Sequence, residues 1–88
     1  MKLKRTLVKR VAALVQANNH GEAIVEAANA FGLDKLVERA ERINRLHCWL
    51  GHLSPTLYEE RRSVYMELMN FAKSVLPPDD YQRLYSAF

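Results

Sequence analysis

One cysteine, three glycines and three prolines among eighty-eight residues exclude much before any pattern is read. Cys48 stands alone, so no internal disulfide framework can reinforce the fold, and an intracellular, reducing compartment, the cytoplasm, is expected. No glycine-rich phosphate loop, nucleophile elbow or HExxH pattern is present. No apolar run approaches the roughly 18–20 residues that span a bilayer. The N-terminus is a poor secretory signal, since the run from Val11 to Val15 is short and Lys9 and Arg10 precede it. Its first 21 residues are basic and amphipathic, as in an organellar presequence, but they contain no serine.

Acidic residues are also missing from one end. Residues 1–18 carry Lys2, Lys4, Arg5, Lys9 and Arg10 with no acid, a local charge of +5. The rest of the chain holds eight basic and ten acidic side chains, so the overall +3 belongs to the N-terminal segment. These five residues form a candidate patch for phosphate or an acidic protein surface, against the simpler reading of a solvated helix face. No aromatic interleaves them to stack on bases.

What is abundant is apolar sequence, 49% of the chain, repeated at helical spacing. The reading is all-α: one small domain over residues 1–88, built as a compact bundle of four to five short helices. A chain this short has a thin core, so self-association is an expected reinforcement. The first helix spans about 3–17, with Leu3, Leu7, Val11, Leu14 and Val15 on one stripe. Asn18, Asn19 and Gly21 end it. Asn19 and Glu22 have capping-box spacing for a second helix rich in alanine, and Gly32-Leu33 reads as its C-cap. Asp34 is placed to cap the third helix, whose outer face offers the pairs Glu38–Arg42 and Glu41–Arg45. Ser54-Pro55 starts the fourth helix, and Pro77-Pro78 ends it.

Helices 3 and 4 are expected to form the central antiparallel hairpin. Leu36, Ala40, Ile43, Leu46, Leu50, Leu68, Phe71 and Val75 are expected to be buried, with Trp49 and Tyr65 closing the core. Arg61 interrupts the fourth helix's apolar stripe and should carry its charge to the rim. Helix 5, about 79–88, places Tyr81, Leu84, Tyr85 and Phe88 on one side. A helix this short cannot stand alone: it either folds back on its own bundle or docks into a groove on another subunit or protein, and anchors at i, i+3, i+4 and i+7 favour the docking.

Three chemistries compete with a plain binding surface. Ala28-x3-Gly32 has helix-turn-helix spacing, yet Glu38 and Glu41 occupy positions that should be apolar, and both oppose phosphate. His47, Cys48 and His52, with His20, contain metal-ligand types, but only one pair shares a helical face where structural zinc wants four convergent ligands. The block Glu59-Glu60-Arg61-Arg62 complements the helix dipole and needs no catalytic role. No cofactor, metal or enzymatic activity is therefore expected.

The stretch Arg10 to Arg45, with Ala-Leu-Val, Ala-Ile-Val-Glu-Ala-Ala, Phe-Gly-Leu and Lys-Leu-Val-Glu-Arg, resembles the helical hairpins of α-solenoid and adaptor-type domains. It covers under half the chain and uses small and apolar residues common to helical hairpins. The functional expectation is a non-enzymatic protein-interaction module, a regulator, adaptor or inhibitor, that self-associates as a homodimer. The alternative is a nucleic-acid-binding accessory protein acting through its basic first helix.

Overall fold

Left-handed asparagine and glycine residues divide the chain where its helical runs break. In the computed structural model, which describes residues 2–88, five helices follow in order: α1 (Arg5–Gln16), α2 (His20–Ala30), α3 (Asp34–Leu50), α4 (Pro55–Val75) and α5 (Pro78–Ala87). Two of the breaks are Schellman motifs. Asn18 takes φ +59°, and the Asn19 N–H reaches back to Leu14 O at 2.8 Å while Asn18 N–H donates to Val15 O at 3.0 Å. Gly32, at φ +72°, repeats the pattern: Leu33 N–H donates to Ala28 O and Gly32 N–H to Asn29 O, both at 3.0 Å.

The N-caps are less regular than the sequence suggests. Ser54 accepts from the Leu57 N–H at 3.2 Å, and Pro55 opens α4 as expected. The Asn19–Glu22 capping box does not form, because Asn19 makes no side-chain cap bond. Asp34 does not cap α3 either. Leu33 is the N-cap, and Asp34 lies in the first turn, where its charge faces the positive end of the helix dipole.

α1 buries Leu7 and Val11 against α2 and α5, and Leu3, just ahead of the helix, is buried too. α2 buries Ala23, Ile24, Ala27 and Ala28, and these small side chains let it touch α1, α3 and α4. α3 and α4 pack together in antiparallel register, since Arg39 pairs with Glu67 near one end and Asn44 meets Arg61 near the other. Val64, Leu68, Met69 and Ala72 of α4 complete the core with Leu84 of α5. Phe31 and Phe71, with ring centroids 5.8 Å apart, join the end of α2 to the later half of α4.

Ion pairing departs from expectation. Glu38–Arg42 and Glu41–Arg45 are not among the salt bridges of the described residues. Arg10 instead reaches Glu26 at 2.8 Å, tying α1 to α2, and Arg39 reaches Glu67 across α3 and α4. Among the described residues, no helix is long and apolar enough to cross a membrane.

The core expectation also needs correction. Ala40, Ile43 and Leu68 are buried, but Leu36, Leu46, Phe71 and Val75 are only half-buried. Leu50 is 43% exposed and Trp49 is 81% exposed. Helix length and helix face explain the last two. α2 has 11 residues and α3 has 17, and they run back to back from the Gly32 turn. At 1.5 Å per residue, α3 outruns α2 by about 9 Å. Leu50, on the same face as Ile43, therefore has no α2 alongside to cover it, whereas Trp49 lies about 120–180° around α3 from Ile43 and Ala40 and faces away from the bundle.

Candidate functional site

The overhang of α3 and the start of α2 leave a cleft, and its floor is set by Gly21. A Cβ at Gly21 would collide with Asn44 Oδ1 and lie 2.9 Å from Arg61 Nη2, so any larger residue there would have to push the Asn44–Arg61 pair aside. Arg61 does not extend to the rim. It lies half-buried in the seam, its Nη2 donating to Asn44 Oδ1 at 3.2 Å and lying 3.5 Å from His47 Nδ1. Its Nε is shut from solvent with no hydrogen-bond partner. Burial lowers the guanidinium pKa from its ordinary value, and no carboxylate pairs with Arg61 among the described residues.

Two concavities meet at this arginine. The polar one, about 360 Å³, is bordered by Asn18, Asn19, His20, Gly21, Glu22, Asn44, His47, Cys48 and Gly51. The first N–H groups of α2 open near it, and Asn19 leaves them without a side-chain cap. The second, about 630 Å³, is a largely apolar groove walled by Ile24, Leu53, Tyr58, Tyr65, Met66 and Phe88. Its charged and titratable side chains other than tyrosine are Arg61, Arg62, His20 and His47, with no acid on its walls. Tyr58 is 56% exposed and Met66 50% exposed. Burial, then the nearness of Tyr85 and Tyr81, raises the Tyr65 hydroxyl above its ordinary pKa.

The residues singled out from sequence fall in different places. Tyr81, Leu84, Tyr85 and Phe88 do not present one open face. Leu84 is fully buried under α5, Tyr81 and Phe88 are half-buried, and Phe88 stacks edge-on against Tyr65 with ring centroids 5.3 Å apart. Tyr85 is exposed, its ring centroid 6.2 Å from that of Tyr81. Thus α5 folds back on α1 and α4 of its own bundle, and Phe88 becomes a wall of the groove.

Lys2, Lys4, Arg5, Lys9 and Arg10 are all exposed, and among the described residues Arg10 is the one of these five drawn into an ion pair. Arg83 of α5 borders the same recess as Lys2, Lys4 and Arg5, adding a sixth basic group. The Asp80 carboxyl is held below its ordinary pKa by a hydrogen bond from Arg83, against an opposing desolvation, with Leu3 N–H and Lys2 adding to the effect. His20, His47 and Cys48 border one cavity, whereas the Nδ1 of His52 turns to the Leu50 carbonyl at 3.2 Å. Among the described residues, no three His, Cys, Asp or Glu side chains converge as a metal site.

Sequence reasoning missed Arg61, Asn44 and Gly21 as one assembly. The signal was there: Leu57, Arg61, Val64 and Leu68 share a helical face, so an arginine stood among residues bound for the core. Compared with protein-family models, curated proteins and solved structures, the chain matches none of them.

Proposed function

We propose that this protein is a non-enzymatic helical module that acts by binding another protein, as a regulator, adaptor or inhibitor, and that it self-associates. Trp49 carries this reading. A tryptophan 81% exposed beside an exposed Leu50 leaves a large apolar surface in water, and tryptophan is the residue most enriched among interface hot spots. Trp49 lies on the face of α3 turned away from Ala40 and Ile43, so no core contact is given up to keep it outside.

The test is affinity capture from the native cell with and without nuclease, using the wild-type chain and a Trp49→Ala/Leu50→Ala variant. A protein partner retained after nuclease and lost with the variant supports the reading. Equal retention by both removes it. Self-association is read separately, from sedimentation of the two proteins over a concentration series.

A second reading has its own observation. α1 begins with Lys4 and Arg5 and has no acid in its first turn, so its basic residues oppose the helix dipole instead of complementing it. Charge placed against local stability favours an external anion, either nucleic acid or an acidic protein surface. Nucleic-acid binding predicts affinity that falls steeply with salt and disappears when two of Lys2, Lys4, Arg5 and Lys9 become glutamate.

A further inference from the structure

We infer that the groove beside Arg61 binds an acidic peptide segment of a partner protein, its apolar side chains lying against Tyr58, Tyr65 and Met66 and its carboxylate meeting Arg61 and Arg62. This rests on the interaction reading above and adds to it a place and a chemistry.

Charge complementarity selects the occupant. Beyond residue 18 the chain is acidic overall, with ten acids and eight bases, yet no acid lines this groove while two arginines and two histidines do. Glu22 is the nearby exception, and it borders the adjoining polar cavity instead. Neither Arg61 nor Arg62 takes part in an ion pair among the described residues. Arg61 is partly desolvated, and the partners it meets, Asn44 and His47, carry no negative charge. A half-buried guanidinium without a counter-charge has much to gain from an incoming carboxylate, which can take a bidentate, charge-assisted geometry.

The walls point to a peptide rather than a nucleic acid. At about 630 Å³ the groove is large enough for several apolar side chains, and Met66 is a flexible thioether suited to adaptive packing. The N-terminal basic residues, which a phosphate backbone would need, are not on its walls. α5 completes the groove by placing Phe88 against Tyr65, so the surface exists only in the folded bundle.

The test is a display selection of randomised dodecapeptides on the full chain, with enriched peptides then titrated by ¹⁵N NMR. Enriched peptides should combine Asp or Glu with aromatic or aliphatic residues and shift the resonances of Tyr58, Tyr65 and Met66. Binding should weaken at least about tenfold in Arg61→Gln/Arg62→Gln. Should that variant lose its fold, the exposed-site variant Arg62→Glu, together with Tyr58→Ala, is expected to weaken binding in the same direction. Enrichment without acids, or affinity unchanged in these variants, overturns the inference. Shifts confined to Trp49 and Leu50 also overturn it while leaving the interaction reading in place. Dodecanoate moving the groove resonances when no peptide is enriched overturns it in favour of a small anionic amphiphile.

Discussion

Arg61 of α4 donates from Nη2 to Asn44 Oδ1 of α3 across 3.2 Å, directly where Gly21 brings the backbone of α2 against both side chains. Three helices are thereby fastened at one point, and that point is also where the polar cavity and the apolar groove meet.

Gly21→Ala should destabilise the fold by about 1–3 kcal/mol, the range for overpacking a filled site. The sign is informative, because glycine-to-alanine inside an unobstructed helix ordinarily stabilises by about 0.4–1 kcal/mol. Urea denaturation of the variant decides it. An unchanged or raised midpoint would mean that the Asn44 and Arg61 side chains swing aside to admit the methyl group at no net cost.

Leu68 and Trp49 make a matched pair of truncations. Leu68 is fully buried at the centre of α4, so Leu68→Ala should cost about 2–5 kcal/mol. Trp49→Ala removes a larger side chain but should change stability by no more than about 0.5 kcal/mol, since it leaves no cavity. Thermal melts of the two variants, followed by circular dichroism, should rank them in that order.

The last helix is part of the bundle, and its substitutions should show it. Leu84→Ala should lower stability by about 2–5 kcal/mol, whereas Tyr85→Ala should stay within about 0.5 kcal/mol. Deleting residues 79–88 uncovers α1 and α4, so the shortened chain should melt earlier at every concentration. A shortened chain that melts like the intact one would show that α5 docks elsewhere.

Acid should weaken the start of α5, where Asp80 pairs chiefly with Arg83 of the same helix and, less strongly, faces Leu3 N–H and Lys2. Asp80 has a depressed pKa in the folded state, chiefly through Arg83, so its contribution is present above the ordinary carboxylate range. That contribution is lost as pH falls through the folded value. Asp80→Asn should therefore melt earlier than wild type near neutral pH, and the gap should close in strong acid. A gap constant with pH would remove the carboxylate from the account.

Much of the fold was legible along the chain because its causes are local. Asn18 and Gly32 end helices by adopting positive φ, Ser54-Pro55 starts one through its own hydroxyl and ring, and the stripe Leu3–Leu7–Val11 follows directly from 3.6 residues per turn. These features need no neighbour, so five helices and their order were determined by the sequence itself. Which apolar faces are covered was not, because a face states its own character and not the length of the helix beside it. α3 is longer than α2, so Leu50 is left half in solvent although it falls on the apolar stripe, while Trp49 stands in solvent on the opposite face. α5 turns back onto α1 and α4, so Leu84 disappears from the surface that spacing alone left open. Arg61 is drawn inward because α2, α3 and α4 converge where Gly21 leaves room, and only the tertiary structure brings residues 21, 44 and 61 to one place.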